Sequence, residues 1–208
     1  MLIFDLDGTL IDSTGLWVEV DKIFLARRGA EYTQEYYEGV AHTILQNCAI
    51  FTKEYLNLEE SCEEIIAEWM DLAQNAYDNV PIKAGVRQFL EQCRDKGERM
   101  VVFTACVPEH YETALKHLEL EPFFEQVIYA QKMGMDKKSP EIFLKVCEML
   151  GVTPEECIFY DDSVTACAAA KEAGMEVIGV YDAYFEDKRP DMERICDRYI
   201  ESFEELLK

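Results

Sequence analysis

The chain has 208 residues, 49% of them apolar, and a formal net charge of −22. Enough apolar residues are present for one sizeable core plus a smaller module, which excludes a largely disordered chain. The acid excess excludes nucleic acid as a partner, because that affinity rests on Lys and Arg neutralising phosphates, and it disfavours anionic membrane surfaces.

The first predicted element is a strand. Met1-Leu2-Ile3-Phe4 is a short apolar run that ends in Asp5-Leu6-Asp7-Gly8-Thr9-Leu10. A run of that length reads as a buried strand, and Gly8 permits a sharp turn just past it. Two carboxylates are thereby delivered to the end of a core strand, where open α/β sheets place their ligands. Crowded carboxylates repel each other unless a cation or a proton intervenes, so the pair asks for a divalent metal. Turn residues alone are the plain alternative. A calcium-binding helix–loop–helix is excluded, because Gly8 falls fourth in the loop and Leu16 occupies the twelfth place.

Residues 14–28 read as an amphipathic helix with Gly29 as its terminator, and 33–38, 41–55 and 61–78 are also helical in pattern. Ser61 with Glu64 forms a capping box. No strand signal occurs in 12–80, so an all-helical insert follows the first strand. From Pro81 the pattern alternates: helix 84–96, strand 99–103, helix 108–118, strand 126–130, helix 139–150, strand 157–160, helix 163–173 and strand 176–181. Alternation of this kind predicts a parallel sheet with helices on both faces. The tail 191–208 reads as charged and helical, with Tyr199 and Ile200 as a short edge strand. The expected organisation is a Rossmann-like α/β core of residues 1–11 and 81–208, with a helical cap domain over 12–80.

No apolar stretch approaches the ~20 residues that span a bilayer, and Asp5 interrupts the first hydrophobic run, which argues against a leader. Eight scattered cysteines without a Cys-x-x-Cys pair read as reduced thiols, and the expected location is cytoplasmic. With three histidines in all, a zinc site has no clustered ligands.

The residues that follow the later strands complete a chemical set. Strand 99–103 runs into Thr104-Ala105-Cys106, strand 157–160 into Asp161-Asp162-Ser163, and Lys137-Lys138-Ser139-Pro140 lies between them. In a parallel sheet these termini share one edge. Carboxylates, a hydroxyl and a lysine there are the parts for metal-assisted phosphoryl transfer. Each has a plain alternative: Thr104 as a strand end, Asp161 or Asp162 as a helix cap, the lysines as surface charges.

These motifs resemble those of the haloacid dehalogenase-like hydrolase superfamily over essentially the whole chain. Asp5-Leu6-Asp7-Gly8-Thr9-Leu10 matches the first motif, Thr104 the second, Lys137 the third and Asp161-Asp162-Ser163 the fourth. The run from Asp162 to Met175 looks like the beta-phosphoglucomutase-like branch, with a helical cap. The resemblance implies that Asp5 attacks phosphorus to form an aspartyl-phosphate and that Asp7 serves as general acid and base. It further implies Mg2+ held by Asp5, the Asp7 carbonyl, Asp162 and Asp161, the last directly or through water. Thr104, the Ala105 amide and Lys137 would bind phosphoryl oxygens. Departures are Lys138 at the first proline of the third motif, Ala105 in place of Asn or Ser, and Ala166 where many relatives have Gly.

Among the chemistries of this fold, halide displacement dispenses with the second aspartate and the metal, so Asp7 argues against it. Phosphonate cleavage needs a cap lysine, and Lys22 and Lys53 lack a recognisable context. Phosphosugar mutases of this branch carry a cap histidine and basic cap residues, where this chain has Trp17 and Glu38, with His42 nearby. Hydrolysis of a small phosphomonoester, a sugar, polyol or similar metabolite phosphate, is the expectation. A mutase and a non-catalytic phosphate-binding relative are the alternatives. Trp17, His42 and Gln46 are the expected substrate-selecting cap residues; no obligate protein partner is implied.

Overall fold

The computed structural model describes residues 1–40, 45–135 and 137–208, and for Asn75 the backbone alone. The chain divides into two compact units, residues 1–14 with 79–208, and residues 15–78.

The first unit is a parallel six-stranded sheet in the order β3-β2-β1-β4-β5-β6. Its strands are β1 (Leu2–Phe4), β2 (Met100–Thr104), β3 (Val127–Tyr129), β4 (Ile158–Asp161), β5 (Glu176–Val180) and β6 (Arg198–Ile200). β1 lies between β2 and β4, with Phe4 level with Val102 on one side and Tyr160 on the other. Connections leave β1 toward β2 and return past it to β4, so the order of strands reverses beside β1. Crevices beyond the carboxyl ends of strands at such a reversal are where open α/β sheets bind ligands.

Side chains alternate across the strands. Ile3, Val101, Phe103 and Phe159 face one apolar layer, which includes Ile142, Phe143 and Val146 of the helix Pro140–Leu150. Phe4, Tyr160, Phe89 and Phe203 form an aromatic layer, with Phe4 and Tyr160 stacked at 4.6 Å. Small residues in the helix Val164–Glu172, with Ala166, Cys167, Ala169 and Ala170 buried, let that helix lie close on the sheet.

The second unit holds α1 (Thr14–Arg27, beginning at the last residue of the first unit), α2 (Gln34–Val40), α3 (Leu45–Leu56) and α4 (Cys62–Tyr77). Both halves of the Ser61–Glu64 capping box open α4. Inside this unit the buried Tyr36 hydroxyl lies 2.9 Å from Thr52 Oγ1 and donates to Asp21 at 3.3 Å. The Arg28 guanidinium covers the Phe24 ring at 3.6 Å and pairs with Glu68 and Glu60.

Two segments differ from the sequence expectation. The helix expected from residue 84 starts at Val86, because Gly85 takes a left-handed turn (φ +78°) pressed against the backbone of Phe203 and Glu204. The tail is α-helical over Arg189–Ile195 alone and ends in a short 3-10 turn at Phe203–Leu206, while the edge strand expected at Tyr199 and Ile200 is present as β6. Pairing with β5 supplies the backbone bonds that make β6 a strand. All eight cysteines are free thiols, of which Cys93, Cys147, Cys157 and Cys167 are buried. Among the described residues no helix is long and apolar enough to cross a membrane.

Candidate active site

Asp5 is the first residue past β1, and its N–H donates to Tyr160 O at 2.9 Å, so the main chain is still held by the sheet there. Its carboxylate, 7% exposed, is level with the end of β4, which delivers Asp161 and Asp162 (1% and 7% exposed). One oxygen from each of the three lies within 4.8 Å of the others. Among the described residues this is the one such group of potential metal ligands.

Lys137 enters from the turn before the Pro140–Leu150 helix. Its Nζ donates to Asp5 Oδ1 at 2.5 Å, Asp161 Oδ2 at 2.6 Å and Phe103 O at 3.3 Å. The ammonium sits near the rings of Phe103 and Phe159, at 5.5 and 5.4 Å. Burial alone would lower its pKa, but Asp161 and Asp5 outweigh that and raise it, so it stays charged. Lys138, next in sequence, is exposed.

Burial raises the carboxyl of Asp5 above its usual range; Lys137 opposes this, while Asp161 and Asp7 add to it. Burial also pushes Asp162 well up, helped by Asp161 and Asp5 and opposed by Lys83. The cluster is thus short of positive charge. Ionised, three carboxylates against one ammonium leave two negative charges, and every candidate ligand atom is a hard oxygen. That donor set fits a divalent cation such as Mg2+.

Asp7 lies in the turn after Asp5 and accepts from Ser13 Oγ at 2.6 Å. The turn closes through Leu10 N–H to Leu6 O at 2.9 Å and Gly8 N–H to Ile11 O at 3.0 Å. Thr9 Oγ1 donates to Asp162 Oδ1 at 3.0 Å and ties this turn to the end of β4. Gly8 has φ +76°, and a Cβ on it would overlap the Asp162 carboxylate and come within 2.8 Å of Thr14 Oγ1. Gly8→Ala is therefore expected to lower stability by about 1–3 kcal/mol and to weaken metal binding, measured by thermal melts with and without Mg2+.

At the end of β2, Thr104 is buried and its Oγ1 accepts from Cys106 N–H at 3.0 Å. This holds Thr104-Ala105-Cys106 as a turn and leaves the hydroxyl proton available to a ligand. Asp161 Oδ1 accepts from Ser163 N–H at 2.7 Å, so both of its oxygens are engaged.

The expected cap residues lie in the second unit: Trp17 is half-buried on α1 and Gln46 exposed on α3, while His42 falls outside the described residues. Val20, also on α1, is buried. The sequence reading did not single out Ser13, Lys83 or Asp182. Ser13 could have been found six residues after Asp7 at the start of the insert. Lys83 and Asp182 carry no motif and meet through the fold alone.

The profile described as haloacid dehalogenase-like hydrolase matches residues 2–180, and the chain belongs to that family of hydrolases. It is 27% identical to the "Phosphorylated carbohydrates phosphatase" of Thermotoga maritima over 178 residues, 85% of this chain and 82% of the relative. Against "Hexitol phosphatase B" of Escherichia coli K12 the identity is 28% over 186 residues, 86% of this chain and 82% of the relative. The crystal structure of an HAD hydrolase, family IA, variant 3, from Entamoeba histolytica has the same fold. Its TM-score is 0.82 at 21% identity, covering 98% of this chain and 93% of that one.

Proposed function

We propose that the protein is a cytoplasmic, magnesium-dependent phosphatase that hydrolyses a small phosphomonoester, a sugar, polyol or similar metabolite phosphate, through an aspartyl-phosphate on Asp5. The observation that carries this reading is a buried Asp5 at the tip of the central strand, touching Lys137, with Asp7 two residues on. Residues 1–11 and 81–208 form the catalytic core in this reading, and 12–80 the cap, with Trp17, His42 and Gln46 choosing the leaving group.

In the first half-reaction a carboxylate oxygen of Asp5 attacks phosphorus, and the bond from phosphorus to the ester oxygen breaks. Asp7 gives its proton to the departing alkoxide. In the second, Asp7 takes a proton from the water that attacks phosphorus, and the aspartyl bond to phosphorus breaks to release phosphate and restore Asp5. Ser13 holds Asp7 in place for both transfers. Lys137, the Thr104 hydroxyl and the Ala105 N–H stabilise charge on the transferring phosphoryl oxygens.

Asp5, the Asp7 carbonyl and Asp162 would hold Mg2+, joined directly or through water by Asp161, which also bonds Lys137 and Ser163. When bound, the ion supplies the positive charge that brings an anionic ester to an anionic nucleophile. The described cations of the second unit favour hydrolysis over mutase chemistry. Lys22, Arg27 and Arg28 pair with Glu19, Glu68 and Glu60, and Lys53 donates to Glu60 O, so none is set aside for a second phosphate.

A magnesium titration separates the two aspartate roles. Asp7→Asn should lower turnover and leave the magnesium requirement little changed, since its contact with the ion would be a main-chain carbonyl. Asp162→Asn should raise the magnesium concentration for half-maximal activity by about 10-fold or more. Identical titration curves for the two variants would refute this division of labour. A screen over sugar, polyol, nucleotide and glycolate phosphates identifies the leaving group.

A further inference from the structure

The turn after β1 is also held from a side that none of the four motifs reaches. The chain leaves the first unit after Thr14 and returns to it at Asn79. Lys83, on the returning segment, donates to the carbonyl of Gly8, to Tyr181 O at 2.6 Å and to Asp182 Oδ2 at 3.0 Å. The same Asp182 oxygen accepts from Thr14 Oγ1 at 3.0 Å, on the departing segment, and Asp182 Oδ1 accepts from Tyr184 N–H at 2.9 Å. The Asp182 side chain is 1% exposed and that of Lys83 15%. Main-chain bonds from Asp12 N–H to Pro81 O and from Lys83 N–H to Leu10 O pair the two segments beside it.

We propose that Lys83 and Asp182 are positioning residues for the reaction: a buried ion pair that fixes the Gly8 carbonyl, and with it the turn carrying Asp7, against Asp162. The proposal rests on the assignment of Asp7 and Asp162 above.

A buried ion pair is a weak source of stability, since apolar residues of similar volume often serve as well or better. What this pair provides is direction. Three donors of one ammonium meet three acceptors, from the turn after β1, the end of β5 and Asp182. The turn in its place presents Thr9 to Asp162 and Ser13 to Asp7, and Gly8 lies so near Asp162 that a Cβ on it would overlap the carboxylate. Without Lys83 the Gly8 and Tyr181 carbonyls and the buried Asp182 each lose a donor, and the turn loses its tether. Asp7 and Asp162 then hold their geometry less tightly. Such supporting partners of metal ligands typically account for 10–100-fold in metal affinity or activity.

The test uses full-length Lys83→Met, which keeps length and removes charge and donors. Mn2+ binding to the substrate-free protein is followed by electron paramagnetic resonance, beside kcat and KM for p-nitrophenyl phosphate and a thermal melt. Expected are a Kd for Mn2+ weaker by about 10–100-fold and a fall in kcat of similar size, with KM moving less. The double variant Lys83→Met/Asp182→Leu should lose less than the product of the two single losses, because the residues act as a unit. A folded Lys83→Met with unchanged Mn2+ affinity and kcat overturns the proposal. Where Lys83→Met does not fold, Thr14→Val removes a single donor to Asp182: weaker Mn2+ binding supports the proposal, and unchanged binding overturns it. Mn2+ affinity that depends on Lys83 in a protein hydrolysing no phosphomonoester would sink the phosphatase reading and leave the positioning role standing.

Discussion

Asp5→Asn is expected to abolish phosphatase activity, by about 10⁴-fold or more, as removal of a covalent nucleophile does. The amide matches the carboxylate in shape yet is neither a nucleophile nor a good ligand for a hard cation. The fold should survive. Asp5 is buried beside Asp161, and the substitution removes one of three crowded carboxylates while leaving Lys137 paired to Asp161. The check is p-nitrophenyl phosphate turnover with a thermal melt alongside. Unaltered turnover by a folded Asp5→Asn protein would contradict the role given to Asp5.

Lys137→Ala comes next in size. Its ammonium is the partner that two of the three buried carboxylates share, and in the proposed reaction it stabilises charge on the phosphoryl group. Losing one such donor costs about 10²–10³ in kcat. The metal-free protein should also lose stability, on the order of 3 kcal/mol, because Asp5 and Asp161 are left buried without their cation. Lys138→Ala, at an exposed position, should keep most of its activity and stability. Activity and melting temperature of the two variants side by side decide the matter: a silent Lys137→Ala would remove lysine from the account.

Much of the core was legible because its strands are short apolar runs that stop abruptly at polar residues. Leu2–Phe4 ends at Asp5, Met100–Thr104 at a hydroxyl, and Ile158–Asp161 at a pair of acids. In a parallel sheet such stops fall on one edge, so a linear pattern became a spatial one. The tail was less legible. Tyr199 and Ile200 form the expected edge strand, paired to β5, but the charged pattern around them hid that the helix stops at Ile195 and that Phe203–Leu206 is only a 3-10 turn. Gly85 reads as a helix residue until the backbone of Phe203 and Glu204 is seen against it. Lys83 and Asp182 were invisible for a related reason. A lysine after Pro81-Ile82 and an aspartate after Tyr181 have no local signature, and their meaning lies in a contact across 99 residues. Ser13 was within reach of the sequence, but nothing local says that its hydroxyl turns back to Asp7.

The phosphoryl group proposed on Asp5 can be trapped. In Asp7→Asn the base for the second half-reaction is missing, while p-nitrophenolate departs without an acid, so the aspartyl-phosphate should accumulate. Borohydride reduces an acyl phosphate to the alcohol and would convert Asp5 to homoserine, read by mass spectrometry of the digested protein. Homoserine is expected at position 5, present with p-nitrophenyl phosphate and Mg2+ and absent without either. Release of p-nitrophenol with Asp5 left intact, or with the reduced residue elsewhere, would contradict that expectation.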